Sequence, residues 1–126
     1  MQASLLLAIA AAGSLGAVSR YLLGNLVLDC CPGLPLHTFV VNVLGCFGFG
    51  LCWSLAAGRW SPQVTAAVLV GFFGAFTTFS AFAFDCHALL SERRYLVLLI
   101  DVVAQNVLGV LALAAGIALA TAFGRS

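Results

Sequence analysis

The stretch GFFGAFTTFSAFAFD, residues 71–85, decides how this chain is read. It sets Thr77, Thr78 and Ser80 among phenylalanines, two of which are Phe79 and Phe82, with Gly71 and Gly74 just ahead of them. In a lipid bilayer every backbone polar group must be satisfied within the protein. A Gly- and Thr-rich interruption of an apolar segment there usually lines a cavity or binds an ion. The stretch points to something small and charged that crosses a membrane or sits inside one.

Composition supplies the membrane. The chain is 63% hydrophobic and 7% charged, where a soluble domain carries about a quarter charged residues. Its mean hydropathy is +1.17. Four apolar stretches, residues 4–28, 37–57, 64–90 and 95–122, each reach the roughly 20 residues that cross a bilayer. Between them lie short Pro-, Gly- or charge-bearing gaps around Pro32-Gly33, Ser61-Pro62 and Glu92-Arg93-Arg94. The expected fold is all-α: one domain over residues 1–126, with four membrane helices and a break in the third. The N-terminal MQASLLLAIAAAG lacks the basic region of a signal peptide, and its apolar pattern runs on to Leu28, so it reads as the first helix.

Several function classes drop out. Neither histidine has a nucleophile–base arrangement around it, which argues against an enzyme. The glycines of the first, second and fourth spans follow no strand and suit close helix packing better than phosphate or nucleic-acid binding. Cys46, Cys52 and Cys86 lie in apolar spans and behave as small hydrophobes, while the adjacent Cys30 and Cys31 lack metal or redox spacing.

Charge placement bears on orientation. With four spans, Arg59 and Arg125 fall on one side and Arg93 and Arg94 on the other, with Arg20 inside the first helix and no lysine anywhere. The positive-inside rule needs an imbalance and here finds almost none. A chain with so weak a bias can insert both ways, and two opposite copies would form an inverted repeat from two chains.

Polar groups inside the spans carry the remaining information. Asn42 offers an amide in the second helix, either as interhelical glue or as a donor in a pore. Phe79 and Phe82, three apart, share a helix face; they are ordinary packing, or positive ring edges along an anion path. Gly74 and Thr77 flank the break, whose freed carbonyls would hold a cation such as sodium, unless the break is a simple kink with Thr77 and Thr78 bonding back. Arg20 either snorkels to the interface or makes a vestibule attractive to anions. Asp101 and Gln105 share a face and, with Asn106, suit interhelical or interfacial hydrogen bonds.

GSLGAVSRY (residues 13–21), TFVVNVLG (38–45) and GFFGAFTTFSAF (71–82) together resemble the fluoride-specific channels called Fluc or CrcB proteins. The resemblance covers three of the four helices in order, and the third motif is the specific one. It implies a multi-pass protein of the cell membrane that exports fluoride passively and relieves its toxicity. It also implies an antiparallel dual-topology homodimer with a structural sodium ion on its axis. Asn42, Phe79 and Phe82 match the family's pore residues, with Thr78 and Ser80 as pore-region hydroxyls. Gly74 and Thr77 match its sodium-holding carbonyls, and Arg20 its first-helix arginine, in a vestibule or structural role. The chain departs from the pattern at Val40, Ala81, Ala83, Val110 and Ala114, where hydroxyl residues are common. That leaves open a partner subunit of a two-gene channel, itself non-conducting. A small proton-coupled multidrug exporter shares the length and charge balance, but it needs a carboxylate deep in a helix, and residues 1–28 hold none.

Overall fold

The computed structural model describes residues 2–124; Arg125, counted above for orientation, lies outside them. Four helices long and apolar enough to cross a membrane make up the molecule: α1 (Ala3–Cys30), α2 (Leu36–Ala56), α3 (Pro62–Ser91) and α4 (Tyr95–Gly124). The connections are tight, and each turns through a left-handed residue: Gly33 at φ 85°, Gly58 at φ 71° and Arg93 at φ 58°. α3 begins two residues ahead of the apolar run because Ser61 caps it, accepting from the Val64 N–H at 3.3 Å. Pro62 then fills the first helical position, where a missing N–H costs nothing.

The helices pack as two close pairs. Between α2 and α4, a Cβ on Gly50 would strike the Leu113 carbonyl oxygen, and one on Gly116 the Phe47 carbonyl oxygen. Between α1 and α3, Gly16 meets the Phe72 carbonyl in the same way, and a Cβ on Gly71 would lie 2.7 Å from the Ile9 carbonyl oxygen. Backbone on backbone is the contact small residues allow where lipid, being as apolar as the side chains, provides no hydrophobic drive.

α3 is not one helix. After an α-helical start it passes through a π-helical stretch, Ala67–Phe73, then a short turn, Gly74–Phe76. Thr77 (φ −81°, ψ 154°) and Thr78 (φ −150°, ψ 118°) are extended, and the α-helix resumes over Phe79–Ser91. The break expected from the sequence is there. Wide π turns concentrate at functional sites, and this one is the surface on which α1 rests.

Little of each span is buried within the chain: 6% of the most apolar window of α1 and 22% of that of α3. Much of the remaining surface is exposed, available to lipid or to a second molecule.

Candidate functional site

The break leaves backbone groups that must find partners in a membrane interior. In an unbroken helix the Thr78 N–H would close on the Gly74 carbonyl. Here it donates to Asn42 Oδ1 at 2.8 Å, and Asn42 Nδ2 donates back to the Thr78 carbonyl at 3.1 Å. A side-chain amide thus pairs with both backbone polar groups of one residue. The second Nδ2 hydrogen goes to Gln105 Oε1 at 2.9 Å, tying α2 to α4 as well as to α3. Asn42 therefore is interhelical glue, and all of its hydrogens have acceptors within the chain.

The two threonines at the break behave differently. Thr77 Oγ1 bonds back to the Phe73 carbonyl at 2.9 Å, as a kinked helix allows. Thr78 instead caps the helix ahead: its Oγ1 accepts from the Ala81 N–H at 3.3 Å and lies 3.1 Å from Ser80 Oγ. The N–H groups that would close on the Gly74 and Thr77 carbonyls, those of Thr78 and Ala81, are both diverted to side chains. Gly74 itself is exposed, and a Cβ added there meets nothing within 4 Å.

Two cavities meet at Thr78. One, about 480 Å³, is lined by Arg20, Asn25, Thr38, Thr78 and Ser80 among others. Among the described residues no carboxylate pairs with Arg20. The Thr38 hydroxyl, 2% exposed, has no hydrogen-bond partner there. The second cavity, about 270 Å³, holds Asn42, Thr77, Thr78, Phe79 and Phe82 together with Cys46, Gln105 and Asn106. Phe79 and Phe82 meet edge to face, with centroids 5.6 Å apart and planes at 61°. Phe79 is 78% exposed in the single chain.

Of the residues singled out from the sequence, Asn42, Thr77, Thr78, Phe79 and Phe82 converge on one cavity. Arg20 and Ser80 lie in the other, and Gly74 lines neither. The hydroxyl track sought after Gly109 has polar counterparts one turn earlier, in Gln105 and Asn106; Val110 is 67% exposed. Thr38 is a further polar residue of the site beyond those expected; it stands four residues before Asn42, a spacing that puts both on one face of α2 and is visible in the sequence.

Known proteins give this geometry a context. The family model described as "CrcB-like protein, Camphor Resistance (CrcB)" matches residues 7–117. The chain is 48% identical to the fluoride-specific ion channel FluC of Solidesulfovibrio magneticus over 88% of its own length and 91% of that protein's. It is 46% identical to the FluC of Nitrosococcus oceani, over 80% and 83% respectively. For the FluC of Methanopyrus kandleri the figures are 45%, 91% and 88%. The family match spans the packing glycines, the Asn42 clamp and the broken helix alike, and the chain belongs to the CrcB family.

Proposed function

We propose that this chain forms a passive, fluoride-selective channel that lets fluoride leave the cytoplasm. The observation that carries the reading is the cavity at the break, where Asn42, Phe79 and Phe82 stand together in a chain related to proteins named for fluoride conduction. Ring edges are electropositive and offer an anion contact without attracting cations. Asn42 and Gln105 both line this cavity and share a hydrogen bond, so an anion there can take the place of the Gln105 oxygen. Arg20 and the unpartnered Thr38 hydroxyl make the neighbouring cavity a vestibule suited to an anion.

No energy source is required. Hydrogen fluoride crosses membranes uncharged and releases fluoride in a less acidic interior. Each elementary charge falling through 100 mV gains about 2.3 kcal/mol, enough to hold a roughly fiftyfold outward gradient at equilibrium.

The working unit in this reading is two antiparallel copies. Phe79 and much of each span are uncovered in one chain, and the arginines are balanced across the two sides. The diverted hydrogen bonds leave the Gly74 and Thr77 carbonyls of each copy pointing to a use. Two copies brought together would supply four oxygens, a donor set that fits a hard cation such as sodium. Bound there, the ion would supply positive charge that pins the two breaks together.

The test is the reversal potential of the purified protein in planar bilayers under opposed fluoride and chloride gradients. A potential at the fluoride equilibrium value is expected; one that tracks chloride equally contradicts selectivity. Labelling single cysteines in the Arg59 loop should succeed from both sides of the membrane, and reaction from one side only contradicts the antiparallel pair.

A further inference from the structure

Beyond the break and its cavities, the chain buries a carboxylate inside a membrane helix, an expensive arrangement that usually marks function. Asp101 of α4 is 7% exposed. Both of its oxygens receive Gln105 Nε2, at 3.2 and 3.3 Å. Gln105 Oε1 in turn accepts from Asn42, and Asn42 closes on Thr78.

The direction of every bond in this row is dictated by its two ends. A backbone N–H can only donate and a carbonyl can only accept, so Thr78 fixes Asn42 with Oδ1 toward the N–H and Nδ2 toward the C=O. The hydrogen left on Nδ2 requires an oxygen from Gln105. That turns the Gln105 –NH₂ toward α4, where only an acceptor will serve, and Asp101 provides two. A side chain without an acceptor at position 101 would leave the Gln105 –NH₂ without its partner and Gln105 held at its oxygen end alone.

Resting on the channel reading, we infer that Asp101 is a positioning residue for the anion path. Through Gln105 it steadies Asn42 in the orientation that Thr78 dictates, so that the hydrogen given to Gln105 stays between these two residues of the cavity of Phe79 and Phe82. Asp101 does not line that cavity itself and reaches it through its hydrogen bonds with Gln105.

The experiment compares Asp101→Leu, Asp101→Asn, Gln105→Leu and the double variant Asp101→Leu/Gln105→Leu, full length in liposomes. Fluoride flux and the hydrogen exchange of the Thr78 backbone amide are both followed, and dimer retention on a sizing column confirms folding. Asp101→Leu should lower flux about tenfold and speed Thr78 exchange by a similar factor, the worth of one directed hydrogen bond. Asp101→Asn keeps an acceptor oxygen and should stay within about threefold of the parent. Because the action runs through Gln105, the double variant should be no worse than Gln105→Leu alone. Multiplying losses in the double variant, or unchanged Thr78 exchange in a folded Asp101→Leu protein, would overturn the inference. Should the parent chain pass no fluoride at all, the channel reading fails by itself, and the Thr78 exchange comparison still decides the role of Asp101. If Asp101→Leu does not fold, Asp101→Asn against Gln105→Leu in the exchange measurement takes its place: equal acceleration in the two would overturn the inference.

Discussion

The seam between α2 and α4 and the break in α3 hold this molecule together by opposite means. Along the seam, Gly50 and Gly116 bring backbone against backbone, with no room at either for one more carbon. At the break, backbone groups are released; Asn42 and the Thr78 hydroxyl take them up, and Gln105 and Asp101 in turn hold Asn42. Such bonds within a membrane average about 0.6 kcal/mol each. The seam supplies rigidity and tolerates nothing; the break supplies direction at small energetic cost. An ion path needs both, because a few weak donors are selective only when something rigid holds them in place.

The contrast can be broken most severely on the seam. Gly50→Val forces a branched side chain against the Leu113 carbonyl, and neither backbone can move away without separating the helices. Overpacking costs about 1–3 kcal/mol in an ordinary core and more where backbone is the obstacle. Loss of folded protein, seen as aggregation or absence from the sizing column, is expected. Gly74→Val is the counterpart at the break. Nothing in the chain lies within 4 Å of the added Cβ, and the residue already has helical angles, φ −62° and ψ −33°. The single chain should fold and the dimer should be lost, so elution as a folded monomer is the expected result. A normal dimer would remove the two-fold site proposed for Gly74 and Thr77. The mildest change is Phe82→Ile, which keeps bulk and apolarity and removes the ring quadrupole. Stability should fall by less than about 1.5 kcal/mol, with the dimer retained, while fluoride flux collapses. Normal flux would make Phe82 part of the frame.

How much of this was legible in the sequence follows the same division. The four helices and the break show in hydropathy and in the placement of Gly74, Thr77 and Thr78, since a bilayer leaves few alternatives for an apolar chain. Pro62 looks like a gap residue and proves to be the first residue of α3, because Ser61 caps and proline is welcome at that position. The π-helical run Ala67–Phe73 was not legible: its residues are as apolar as an α-helix requires, and the wider turn answers to packing against α1. The pairing of Asp101 with Gln105 was readable from their four-residue spacing. Its continuation to Asn42 joins residues 63 apart in sequence, a contact that only the packing of α2 on α4 creates.

Fluoride efflux from liposomes holding only this chain, followed with a fluoride electrode, tests the central claim most directly. A conductive pore predicts release that waits for a potassium ionophore to balance the charge and then runs quickly, with chloride left behind. Release that proceeds equally well without the ionophore would mean coupled exchange, and no release with it would mean a chain that does not conduct by itself; either result contradicts the account.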